Sequence, residues 1–188
     1  MELGKTCYVT DRKQWRSWLA KNHNKEKEIW LVYYRKSSGK KRIPYNDAVE
    51  EALCYGWIDS TMKRVDDEKF AQRFTPRRKM SRVSQLNTER IYKMIDKKKM
   101  TLKGLEAVNH TFNPSSKRTG CKIRKDILAA LKNDEKTWEN FQKFPKSYKR
   151  IRISWIEEAR TRPELFKTRL EYFLKMTAKN KKYGMVQQ

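Results

Sequence analysis

The longest unbroken apolar run in the chain is Ile29-Trp30-Leu31-Val32-Tyr33-Tyr34. A bilayer-crossing helix needs roughly 20 apolar residues, so no stretch of this sequence spans a membrane. Six residues rich in β-branched and aromatic side chains suit a strand instead. The chain must therefore build its core from short elements. Its 188 residues fit one domain, or one domain with a smaller helical appendage. Charge sets the second bound: 46 Lys and Arg stand against 22 Asp and Glu, a net charge of +24. A charged fraction of 36% and a mean hydropathy of −1.03 lean toward a disordered polycation. An aromatic content of 12%, with six Trp, argues for a folded one. Met1 to Thr10 hold no apolar stretch of signal-peptide length, and Cys7, Cys54 and Cys121 are scattered. We therefore expect a cytoplasmic protein with reduced thiols.

Hydrophobic spacing lays out the elements. Thr10-Asp11 caps a helix over about 11–22 with Trp15, Trp18 and Leu19 inward. After the strand at 28–35, Asn46 is placed to cap a helix buried through Val49, Ala52 and Leu53, with Asp47 near its positive end. Gly56 fits the position just past that helix. Trp57–Met62 and Lys69–Thr75 alternate as the arms of a hairpin stopped by Pro76. Helices follow from Ser81 or Ser84 to about Lys98 and after Thr101. Beyond a polar stretch the pattern is wholly helical, and Thr161-Arg162-Pro163-Glu164 reads as a capping box. The expected fold class is α+β: a small antiparallel sheet packed with helices over 1–113, a linker at 114–122 and a helical unit over 123–188.

The order of motifs adds a resemblance. Trp15-x-x-Trp18-Leu19 precedes Glu28-x-Trp30-Leu31-x-Tyr33-Tyr34. Then come Ala52-Leu53-Cys54-Tyr55-Gly56-Trp57-Ile58-Asp59 and Arg73-Phe74-Thr75-Pro76-Arg77, and later Phe144-Pro145-x-Ser147-Tyr148 and Trp155-Ile156-x-x-Ala159. In this order, over nearly the whole chain, the sequence resembles the YdeI or OmpD-associated family, the bacteriocin-protection proteins. Val83 stands where that family usually has Trp. The resemblance implies a soluble cytoplasmic protein acting in stress or antimicrobial-peptide resistance, and it assigns no catalytic residue.

Candidate sites follow from residue chemistry. Alternation puts Trp57 and Asp59 on one face of the hairpin, and a paired register can bring Arg73 beside Asp59. Tyr45, Asp47, Trp57, Asp59, Arg73, Thr75 and Arg77 then form a pocket with an aromatic wall and guanidinium forks for a small anionic ligand. A structural Asp–Arg pair at a sheet edge is the competing reading. An enzyme using the same pocket is a further alternative. The other function class is non-specific nucleic-acid binding through the +24 charge, with Lys149, Arg150, Arg152, Arg160 and Arg169 as phosphate contacts. A solvated helical surface over an aromatic core competes with that. Cys54 reads as a packing cysteine, because His23 and His110 are remote in sequence. Glu50 and Glu51 are adjacent on a helix and point apart, which is no acid–base pair. No metal-ligand spacing and no glycine-rich phosphate loop occur, so no metal and no cofactor are expected.

Overall fold

A computed structural model describes residues 3–110 and 121–185. The chain divides into two compact units, Met1–Val83 with Arg90–Pro114, and Ser84–Glu89 with Ser115–Gln188. The linker expected at 114–122 falls mainly outside the described residues.

The first unit opens with β1 (Thr6–Tyr8), α1 (Arg12–Asn22) and β2 (Ile29–Tyr34). Asp11 caps α1: its carboxylate accepts the N–H groups of Lys13 at 2.8 Å and Gln14 at 2.9 Å, which satisfies two of the otherwise unbonded donors of the first turn. α2 (Tyr45–Cys54), β3 (Trp57–Arg64), β4 (Lys69–Pro76), α3 (Gln85–Asp96), of which the residues up to Glu89 belong to the second unit, and α4 (Leu102–Glu106) follow. The strand order is β1-β2-β4-β3. β2 and β3 each pair antiparallel with β4, while β1 runs parallel to β2 with Thr6 opposite Trp30. The fold is α+β, and the sheet is mixed where sequence reasoning expected an antiparallel one. Three residues carry no detectable period, so β1 leaves no trace in the pattern.

One face of the sheet forms the core. Ile29, Leu31, Tyr33, Trp57 and Phe74 pack against Trp15 and Leu19 of α1, Val49 and Leu53 of α2, and Ile91 and Met94 of α3. Each such side chain contributes roughly 1.5–3 kcal/mol on burial. Gly56, with φ +75°, ends α2 and turns the chain into β3. Asn46 does not cap α2. The cap lies two residues earlier, at Pro44, with no side-chain bond, and Asn46 Oδ1 accepts Arg90 Nη2 at 2.5 Å. Proline's fixed φ already shapes the entry to the helix.

The hairpin contains a β-bulge that decides what faces the core. Met62 pairs with Gln72, yet Asp59 pairs with Phe74, so β3 holds one extra residue between them. An unbroken register would set Asp59 opposite Thr75. The bulge slips it by one, and a one-residue slip exchanges the faces. Gln72 holds the bulge by donating Nε2 to the carbonyls of Ser60 at 3.1 Å and Thr61 at 3.3 Å.

The second unit contains α5 (Lys125–Lys132), α6 (Glu135–Lys143), α7 (Lys146–Glu157) and α8 (Pro163–Ala178). Ile127, Leu131, Phe141, Phe144, Tyr148, Ile153, Ile156 and Phe173 form its core. The capping box expected at Thr161 does not form. Arg162 occupies the N-cap with no side-chain bond, and Pro163 takes the first helical position. No helix among the described residues is long and apolar enough to cross a membrane.

Candidate functional site

The bulge breaks up the pocket expected from the sequence. Trp57, Asp59 and Phe74 share the core face, whereas Arg73 and Thr75 lie on the other. Arg73 turns to Glu28 instead, donating Nε to Oε2 at 2.9 Å, and holds that carboxyl below its ordinary range. Asp59 accepts the Tyr45 hydroxyl at 2.6 Å. Burial, with this bond second, pushes the Tyr45 phenol well up. Asp47, in the first turn of α2, lies 3.6 Å from Arg12. Thr75 pairs with Ile58. Of the seven residues, Tyr45 and Asp59 meet in their hydrogen bond, and Trp57 and Arg77 line a common cleft.

This cleft has a volume of about 240 Å³ and lies in the first unit. His23 and Asn24 reach it from the end of α1, Tyr55 and Gly56 from the end of α2, Pro76 and Arg77 from the end of β4, and Lys103, Glu106 and Ala107 from α4. The Arg77 N–H extends the sheet ladder to the Gly56 carbonyl at 2.9 Å, which fixes the base of that side chain. Its Nη2 donates to the Ser81 carbonyl at 3.2 Å, to Ser81 Oγ at 3.1 Å and to the Arg82 carbonyl at 3.1 Å. Arg77 Nε is buried and has no partner. No carboxylate among the described residues pairs with this guanidinium, and burial alone lowers its pKa. Trp57 is 1% exposed and donates Nε1 to the His23 carbonyl at 3.1 Å, so it is more cleft floor than stacking platform. His23 holds the Leu19 carbonyl through Nδ1 at 2.9 Å and packs its ring on Tyr55 with centroids 5.0 Å apart. That bond puts the ring hydrogen on Nδ1 and leaves Nε2 as the basic nitrogen. Lys79 and Lys103 add positive charge at the rim, and Glu106 is 3.3 Å from Lys103. The arrangement suits a small ligand with a negative group for Arg77 and an apolar part for the aromatic floor.

Sequence reasoning missed His23, Tyr55 and Lys103, which are brought together only by the ends of three helices. It also missed a buried ion cluster. Glu50 and Glu51 are 1% and 0% exposed. Arg12 binds both carboxylates, by Nη2 to Glu50 and by Nε to Glu51 at 2.9 Å. Lys93 adds a 2.8 Å contact to Glu50, and Arg16 a 2.6 Å contact to Glu51. Burial would push the Glu50 carboxyl up, but the hydrogen bonds from Lys93 and Arg12 outweigh it and hold it low. Carboxylates so fully matched lock α2 to α1, because removing either sign strands a buried charge. Cys54 is also fully buried. Burial first, and Glu51 second, push its thiol up to about 11, so it is a poor nucleophile. Among the described residues no three His, Cys, Asp or Glu side chains group to hold a metal ion.

The five basic residues named for nucleic acid all have internal work. Arg150 grips Glu89 with Nε at 2.6 Å and Nη2 at 2.8 Å. Arg160 binds Glu157 and Asp126. Arg152 and Arg169 donate to the Tyr183 and Trp155 carbonyls, and Lys149 donates to the Gln142 carbonyl at 2.7 Å. Each of these bonds ties its side chain to a neighbouring part of the second unit.

Comparison with known families divides the chain along its length. Residues 7–107 match the family described as Domain of unknown function (DUF8412). Residues 121–180 match the family described as Bacteriocin-protection, YdeI or OmpD-Associated. The resemblance to the latter, expected over nearly the whole chain, is thus matched in the C-terminal part, while the Ala52–Asp59 and Arg73–Arg77 blocks lie within the former. No curated protein and no solved structure matches the chain. The helical C-terminal part is similar to the bacteriocin-protection, YdeI or OmpD-associated proteins, and the chain, matched over more than half its length, belongs to the DUF8412 family.

Proposed function

We propose that this is a non-enzymatic cytoplasmic binding protein of the bacteriocin-protection type, acting in stress or antimicrobial-peptide resistance, whose first unit takes a small anion in the cleft at Arg77. One observation carries this reading. Arg77 is a half-buried guanidinium with an unpartnered Nε and no carboxylate among the described residues, set in the wall of a cleft. Arg12, Arg16, Arg73, Arg150 and Arg160 all pair with carboxylates. A charge removed from water without a counter-charge costs several kcal/mol, and a bound anion offsets that cost.

The test is thermal unfolding of the wild type and Arg77→Met with inorganic phosphate, adenosine monophosphate or citrate. A ligand at 100 times its Kd stabilises by about 2.7 kcal/mol, which raises the Tm of a unit near 100 residues by roughly 10 °C or more. We expect at least one anion to stabilise the wild type and to lose that effect in Arg77→Met. Equal shifts in both proteins, or none with any anion, refute the reading. Binding to DNA or RNA that weakens steeply with salt and survives Arg77→Met supports the non-specific nucleic-acid function in its place.

A further inference from the structure

The second unit contains a cleft of its own, of about 290 Å³, between α7, the residues at the start of α3 and the chain that follows α8. Ile151 and Trp155, one turn apart on α7, form an apolar wall with Leu86 and Met185. Between them stands Arg152, which is 7% exposed. Its Nη2 donates to the Tyr183 carbonyl at 2.6 Å, and its Nε is buried without a partner. No carboxylate among the described residues pairs with it. The guanidinium lies instead over aromatic rings, 4.2 Å from the Tyr183 centroid, 5.4 Å from Tyr148 and 5.8 Å from Trp155.

Rings are a partial answer for a buried cation. A desolvated cation–π contact offsets only part of what burying the charge costs. Two other arginines of the unit have the carboxylates that Arg152 lacks: Arg150 has Glu89, and Arg160 has Asp126 and Glu157. The chain also closes tightly on Arg152. Gly184 has φ +78°, and a Cβ there would run into the guanidinium, so only glycine lets the backbone lie across it. Met185 then forms the lip of the cleft.

We propose that this cleft is a second binding site, independent of the one at Arg77, and that it takes a small monocarboxylic acid with an aromatic or aliphatic body. The carboxylate goes to the Arg152 fork, the geometry a guanidinium matches best. The body lies on Trp155, Ile151 and Leu86. Phosphate has no body to lie on that apolar wall, so the cleft selects the monocarboxylic acid over it.

The test follows the Trp155 indole N–H and the Gly184 amide by two-dimensional NMR. The full chain is titrated with 3-phenylpropionate, with its neutral amide 3-phenylpropanamide, and with inorganic phosphate. Saturable shifts at both resonances are expected with the acid, at least tenfold weaker affinity with the amide, and weaker affinity with phosphate than with the acid. Arg152→Met should lose at least tenfold for the acid and little for the amide. Arg77→Met should bind the acid as the wild type does. Acid and amide binding equally well to the wild type overturns the proposal without any variant, should Arg152→Met fail to fold. So do phosphate matching the acid, no saturable shift, or acid binding abolished by Arg77→Met.

Discussion

Gly104→Ala is a substitution on which two physical effects disagree in sign. Helix propensity favours it: alanine at an interior helix position is better than glycine by about 0.8–1 kcal/mol, and Gly104 is the middle residue of α4. Packing opposes it. A Cβ at this position would collide with the Cys54 carbonyl oxygen and lie 2.6 Å from its carbon and 2.9 Å from the Leu53 oxygen. Those neighbours are backbone and cannot rotate away. The same carbonyl accepts the Thr101 N–H at 3.1 Å and the Thr101 hydroxyl at 2.6 Å, while Thr101 Oγ1 accepts the Gly104 N–H at 3.1 Å. Pushing α4 outward therefore strains the contact that caps it. Overpacking costs typically 1–3 kcal/mol, and a weakened hydrogen bond adds about 1 kcal/mol. Packing wins, with a net loss of about 2 kcal/mol after the propensity gain. For a unit near 100 residues this lowers Tm by roughly 10 °C. Urea and thermal unfolding followed by circular dichroism measure it. A variant as stable as the wild type, or more so, would show that the α2–α4 contact is loose and that the floor of the Arg77 cleft is not set by it.

Two further predictions concern groups buried beside that contact. Because the Glu50 carboxyl is held below its ordinary value, the stability it contributes is full above the unfolded pKa of about 4.3 and is lost as pH falls through the folded value. Tm measured between pH 7 and pH 3 should fall less steeply in Glu50→Gln than in the wild type, although the variant starts lower. Parallel curves would contradict the ion cluster. With its thiol near 11, Cys54 is about one part in a thousand thiolate at pH 8. It should label after Cys7 and Cys121 with a thiol reagent and catch up in denaturant, and mass spectrometry showing Cys54 first would reverse that assignment.

What could be read from the sequence was local. Asp11 announced α1 because a capping carboxylate acts on the backbone N–H groups two and three residues after it. Gly56 and Pro76 marked the ends of their elements because backbone freedom and a missing donor are properties of single residues. Ile29–Tyr34 is β2 as expected. What could not be read depended on partners distant in sequence. The bulge at Ser60–Thr61 carries no glycine to mark it, and it alone turns Asp59 from Thr75 toward Phe74. The expected Asp59–Arg73 pairing does not form for that reason, whereas Trp57 and Arg77 line one cleft because they stand where β3 starts and just past the end of β4. The basic residues of α7 were recognisable as charges, but what each binds, Glu89 for Arg150 and the Tyr183 carbonyl for Arg152, was not.

The same bulge has a bearing on how copies of the chain coexist when crowded. Among the described residues the sheet ends in two border strands, the three-residue β1 and the longer β3. A long flat border with open backbone groups is a template for strand addition and fibre growth. Here the short border offers too few rungs. The long one is bent at Ser60–Thr61, where Gln72 already occupies two carbonyls, and it ends in Lys63 and Arg64. With +24 on every molecule, a strand from another copy meets a kinked ladder and like charge.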